Sequence, residues 1–161
     1  MIPADEALER LRDGNRRFVA ELGRIDELSS ESRRRSLATR QQPFAIILGC
    51  SDSRVPAELI FDQGLGDLFV IRVAGNIVAP SQIDSVEFSA VLHNARLVVV
   101  LGHTQCGAIL STIEALQTPE QDQALKLRSI VDRVRPSVEA LMETEIANNR
   151  DELIRRSVRN N

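Results

Sequence analysis

Three side chains able to ligate a metal stand just beyond two apolar runs. Cys50 closes "PFAIILGC", His103 closes "RLVVVLGH", and Cys106 follows three residues later in "HTQCG". Two thiolates and an imidazole form a borderline-soft donor set that suits zinc. The set is one ligand short of a closed tetrahedron, and the chain has no third cysteine. Three protein ligands with one open position is the arrangement of a catalytic zinc. Asp52 and Arg54, two and four residues beyond Cys50 in "GCSDSR", complete the pattern. A carboxylate there can close the fourth position, or accept a hydrogen bond from a water held in it. The Arg54 guanidinium can grip that carboxylate with two parallel bonds and keep it ionised and off the metal. Zinc lowers the pKa of a bound water to about 7, so such a site generates a nucleophile near neutral pH.

Each piece also has a plainer reading. A cysteine at a strand end often packs as a small hydrophobe, "HxxC" alone can cap a helix, and "DxR" is a common local ion pair. The joint pattern separates them: "CxDxR" at one strand end and "HxxCG" at another, with one α/β unit between. His93, in "VLHNA", reads as a helix-surface residue, and "GLGD" (64–67) as a turn, since no strand-to-helix junction makes it a dinucleotide fingerprint.

The elements that must position these groups follow from periodicity. "FAIILGC", "DLFVIRVAG" and "RLVVVLGH" are short apolar runs bounded by Pro and Gly, which reads as buried strands. Between the second and third, Ile83, Val86, Ala90 and Val91 recur at helical spacing, and Ile109, Leu110, Ile113 and Leu116 do so after the third. Alternating strands and helices imply right-handed crossovers and an α/β fold with a mainly parallel central sheet flanked by helices. If the strands bearing Cys50 and His103 are neighbours, the ligands converge at the carboxyl edge, where open α/β sheets bind ligands.

Residues 1–42 read as an N-terminal helical arm, with Leu8, Leu11, Phe18 and Leu22 in one stripe, Asp5 as N-cap and Gly14 weakening the middle. The Arg33–Arg35 run reads as a solvated helix face. Residues 43–116 form the α/β core and 117–161 a charged helical tail, from Pro119, with Pro136 interrupting or starting a helix. One domain accommodates all 161 residues.

The net charge of −3 argues against nucleic acid or anionic membrane as partner. No stretch approaches the roughly 20 apolar residues of a membrane span. "MIPADEALERLRDGNRRF" has no secretory layout, and two cysteines near a histidine suit a reducing cytoplasm better than a disulfide.

"CSDSRVPAE", "FDQGLGDLFVIRVAGNIV" and "LGHTQCGAI" resemble, in order, the signature segments of the β-class carbonic anhydrases. The resemblance runs from "ALERLRDGNRRFVAE" to about residue 116 and more loosely beyond. It implies one zinc per chain on Cys50, His103 and Cys106, the dyad Asp52 and Arg54, and reversible hydration of CO2 to bicarbonate. It also implies a homodimer, or a higher oligomer built from dimers, whose interface completes the substrate pocket. Gln41 would donate to the substrate, Phe69 and Phe88 would form its apolar wall, and Gly107 would permit close backbone approach. The family often has Tyr where Phe88 stands. Members that close the zinc with the aspartate and bind inhibitory bicarbonate carry a Trp three residues before the first zinc cysteine. Here that position is Ile47 and the chain contains no Trp, so the open form without bicarbonate regulation is expected. The family's final edge strand has no counterpart before Asn161. Two other functions compete: hydrolysis of CS2 or COS at the same site, and a non-catalytic zinc-binding module.

Overall fold

The computed structural model describes residues 2–118 and 127–161. Residues 119–126, where the sequence places the start of the tail, lie outside them. The described elements are α1 (Ala4–Val19), α2 (Ile25–Leu28), α3 (Glu31–Ser36), β1 (Ala45–Gly49), α4 (Ala57–Ile60), β2 (Leu68–Arg72), α5 (Pro80–Leu92), β3 (Val98–Leu101), α6 (Gly107–Gln117), α7 (Arg128–Met142) and α8 (Arg150–Asn160). Single turns of 3₁₀ helix occupy Ala74–Asn76 and Glu145–Asn148. The chain forms two compact units interleaved in sequence: residues 1–49, 53–71 and 79–100, and residues 50–52, 72–78 and 101–161.

The first unit holds the parallel sheet, in the order β2-β1-β3. Central β1 is buried along its whole length, with Ala45, Ile46 and Ile47 at 0% exposure. A strand covered on both faces keeps no polar alternation, which is why the run "AIILG" is continuous. Parallel pairing brings the Ile46 N–H to Leu97 O at 2.8 Å and the Phe44 N–H to Asp67 O at 2.9 Å. β2 and β3 are both edge strands: β2 buries Leu68 and Ile71, whereas Val98 and Val100 of β3 remain exposed, so of the three apolar runs only β1 is buried throughout.

The arm departs from its expected details. α1 starts at Ala4 with Pro3 at the N-cap, and Asp5 sits in the first turn rather than capping. Its buried face is Ala7, Leu11 and Gly14, whereas Phe18 is half-exposed and Leu22 lies beyond the helix end. Gly14 is there for close approach: a Cβ on it would stand 1.7 Å from Phe61 O. The acidic residues of "FDQGLGD" hold the arm in place. Arg10 bridges to Asp67 at 3.1 Å and lies over the Phe44 ring at 4.1 Å. Arg33 reaches Asp67 at 2.9 Å and donates to Leu65 O, while Arg34 and Arg35 stay on the surface.

Asp62 carries the heaviest load in this network. Its side chain is 3% exposed and accepts from the Arg24 N–H at 2.7 Å, from Arg17 Nε, and from Arg24 Nε at 3.2 Å. Burial alone would push its pKa up, but these donors more than offset that and hold the carboxyl below the usual range. A depressed folded pKa gives stability that is complete above the unfolded value of about 4 and lost as pH falls through the folded value. Asp62→Asn, which tolerates the same positive φ of 45°, should cost about 2–3 kcal/mol at pH 7, since Arg24 is partly solvated. It should also flatten the loss of stability below about pH 4. Urea melts at pH 7 and pH 3.5 check this, and an unchanged difference between the two would reject it.

In the second unit, α6, α7 and α8 pack on one another, and α6 and α7 pack on the Ala74–Asn76 turn. Val131, Val134 and Val138 form the buried stripe of α7, and Leu153, Ile154 and Ser157 that of α8. Pro136 lies inside α7 and does not end it. In α6, Ile109 and Ile113 are buried as expected, joined by Thr112 rather than by Leu110 or Leu116. The expected stripe of α5, by contrast, is not core: Ser89 is its one buried residue, and Ile83, Phe88, Val91 and Leu92 are exposed by 49–69%. No helix among the described residues is long and apolar enough to cross a membrane.

Candidate metal centre

Cys50 follows β1 directly, His103 lies two residues past β3, and Cys106 is the N-cap of α6. The pairing of β1 with β3 fulfils the condition for convergence. The ligand atoms of Cys50, His103 and Cys106 all lie within 4.8 Å of one another, inside the second unit. Both thiols are buried and free.

Two observations show that this cluster fits a metal. First, His103 Nδ1 lies 2.8 Å from Thr104 O. A carbonyl only accepts, so Nδ1 carries the proton and Nε2 presents a bare lone pair. Second, that Nε2 is closed to solvent and has no partner. An unpaired buried nitrogen is costly, and the two sulfurs beside it are the groups a metal would share with it.

The two thiols are electrostatically unlike. At Cys50 burial favours the neutral form, but hydrogen bonds led by the N–H of Gly75 at 3.4 Å more than compensate and pull the pKa down. At Cys106 burial dominates and the neighbouring Cys50 adds to it, so the pKa rises despite the N–H groups of Ile109 and Ala108. Cys50 therefore loses its proton more readily than Cys106, and the charge of a bound metal would favour the thiolate of both.

The backbone around Cys50 is fastened by a residue the sequence reading passed over. Arg72, the last residue of β2, donates from Nε to Cys50 O at 3.0 Å and from Nη2 to Asp52 O at 2.6 Å. Its guanidinium fork thus holds the carbonyls on both sides of Ser51. Gly75, Asn76 and Asn161 were likewise not singled out. Asn76 donates to Leu101 O at 2.8 Å, and Asn161 to Gly75 O at 2.6 Å. The one local signal was "AGN", a glycine followed by an asparagine, the two residue types that best tolerate left-handed backbone.

Asp52 is half-buried and Arg54 exposed, two positions apart in the loop after β1. Phe69 and Phe88 stack on each other with centroids 6.0 Å apart in the first unit. His93 joins them at 5.8 Å from each ring, so it is half-buried rather than a surface residue, and its Nε2 is closed to solvent. Gln41 is exposed and lines an open cavity of about 500 Å³ with Arg34, Thr39 and Arg40. At Gly107 a Cβ would meet nothing within 4 Å, so close approach within this chain does not demand that glycine.

A Cys-His-Cys cluster with both sulfurs buried, following the strands of a parallel sheet, defines a metal-binding α/β protein. A family model for carbonic anhydrase matches residues 45–161. The chain is 45% identical over 132 residues to a carbonic anhydrase of Mycolicibacterium smegmatis, covering 82% of this chain and 63% of that protein. It is 45% identical over 133 residues to carbonic anhydrase 2 of Mycobacterium tuberculosis, with the same coverage of 82% and 63%. The solved β-carbonic anhydrase CcaA superposes on 96% of this chain and 75% of its own, with a TM-score of 0.71 at 26% identity. The chain belongs to the carbonic anhydrase family, and within it resembles the β class. It spans 63% of the length of these two curated relatives.

Proposed function

We propose that the chain catalyses the reversible hydration of CO2 to bicarbonate, with zinc held by Cys50, His103 and Cys106. The observation that carries this is the partnerless Nε2 of His103 beside two buried sulfurs. Zinc, when bound, would supply Lewis acidity and an activated water as nucleophile. The remaining work falls to the chain. The Asp52 carboxylate accepts the hydrogen bond that orients the nucleophile and Arg54 keeps it ionised. With Ile47 rather than Trp in the core, Asp52 stays off the metal. Gln41, Phe69, Phe88 and Gly107 are assigned to substrate binding, and a second copy of the chain would complete that role. The exposed apolar face of α5, with Val91 at 69% and Leu92 at 64%, supports a homodimer. Free thiols suit a reducing compartment such as the cytoplasm.

The test uses the purified chain. It should carry one zinc, sediment as two chains and hydrate CO2. Asp52→Ala should keep the zinc and lose about a hundredfold or more in rate, the usual yield of a positioned proton acceptor. An unchanged rate in Asp52→Ala rejects the mechanism, and absence of zinc rejects the ligand set. Turnover of CS2 but not CO2 would overturn the substrate, and a single-chain mass the dimer.

A further inference from the structure

The Cys50 sulfur receives its N–H from a turn that does not hold its own shape. Gly75 (φ 68°, ψ 21°) and Asn76 (φ 53°) are two successive left-handed residues. Glycine and asparagine reach this backbone at little cost, so the conformation is open to them but not imposed by them. One internal bond, from the Asn76 N–H to Val73 O at 3.1 Å, closes the turn. The rest of the restraint comes from outside it. Asn76 Nδ2 donates to Leu101 O on one side, and Asn161 Nδ2 donates to Gly75 O at 2.6 Å on the other.

We propose that Asn161 is a positioning residue of the metal centre: by holding the Gly75 carbonyl it restrains the φ and ψ of that residue, and through them the N–H on its other side, which is aimed at Cys50 Sγ. The inference rests on Cys50 being a metal ligand. α8 is the wall that carries this amide. Val158 and Asn161 line a small cavity of about 10 Å³ together with Gly75, His103 and Cys106. Val158 Cγ1 lies 2.9 Å from where a Cβ on Gly102 would be, so the helix is packed against the strand end that leads to His103. Leu153 and Ile154 bury the same helix against its neighbours, and Ser137 Oγ reaches Asn160 O at 3.3 Å. A side chain of the charged tail therefore stands two hydrogen bonds away from Cys50. An N–H donated to a thiolate withdraws charge from it and sets how strongly it donates to the metal; outer partners of this kind are worth about 10- to 100-fold in metal affinity.

The experiment follows cobalt(II), bound in place of zinc, by its thiolate-to-metal charge-transfer band and by its release to a chelator. Asn161→Leu removes the donor at similar volume. It should shift the band and speed release by about 10- to 100-fold. Asn161→Asp, with an acceptor facing a carbonyl, should do at least as much, and is read in its place if Asn161→Leu does not fold. Ser137→Ala cuts the other tether of the same helix end. It should lower thermal stability without moving the band, as a purely structural attachment would. Asn161 variants that bind cobalt with an unchanged band and release rate overturn the proposal, as does a Ser137→Ala shift of equal size. A wild-type chain that takes up no cobalt removes the metal reading itself, and this inference with it.

Discussion

His103→Ala should abolish metal-dependent stabilisation while leaving the metal-free chain almost as stable as before. The asymmetry follows from the two ring nitrogens. Nδ1 is satisfied locally by Thr104 O, at an exposed position. Nε2 is buried without a partner, so removing it relieves an unfavourable burial and offsets the packing lost with the ring. With metal the sign reverses, because Nε2 is one of three protein donors in the cluster. Losing it leaves two thiols, of which Cys106, its pKa raised chiefly by burial, loses its proton less readily. Affinity should fall by well over the hundredfold typical of a lost outer-shell partner. Thermal melts of wild type and variant, with and without zinc, read both halves at once. A zinc shift of several degrees in wild type, absent in His103→Ala, is the expected result. Equal destabilisation with and without zinc would mean that His103 is an ordinary core histidine.

The cluster was legible because its residue types are rare and its spacing is set by strand ends. Two cysteines and two histidines in 161 residues leave few combinations, and a run as unbroken as "AIILG" places its terminus reliably at a sheet edge. The rest was hidden for one reason: periodicity reports which side chains share a face, not what covers that face. Ile83, Val86, Ala90 and Val91 do lie on a helix, yet Ile83 and Val91 face outward in the single chain. Gly14 looks like a weak point in a helix until Phe61 O, far along the chain, is brought against it. The ties from Arg72 to Cys50 O and Asp52 O, and from Asn161 to Gly75 O, span 20 to 86 positions. They link a side chain to backbone atoms, which every residue has, so no motif announces them. Pro136 adds the converse case. An exposed proline inside α7 removes one N–H and leaves the helix intact, because the packing of Val131, Val134 and Val138 outweighs the lost bond.

Gly75→Ala should be the most damaging single methyl group that can be added beside the site. Two independent penalties meet there. The backbone is left-handed at φ 68°, where an alanine is strained. The new Cβ would also stand 2.6 Å from Ala108 Cβ and 3.3 Å from Val134 Cγ2, both on packed helices that cannot swing aside. Together these should cost about 2–4 kcal/mol. Any relaxation of the turn also moves the N–H that lies 3.4 Å from Cys50 Sγ, so metal release should quicken in the fraction that folds. Gly107→Ala is the matched control, since its Cβ would meet nothing within 4 Å and its backbone is not left-handed. A change there should stay within about 0.5 kcal/mol. Urea melts of the two variants separate the causes. If Gly75→Ala proves as mild as Gly107→Ala, the turn is pliable, and neither its conformation nor the bond it offers Cys50 is enforced by the helices around it. A loss confined to Gly75→Ala, with faster metal release from the folded fraction, shows that the helices hold the turn and the turn holds the sulfur.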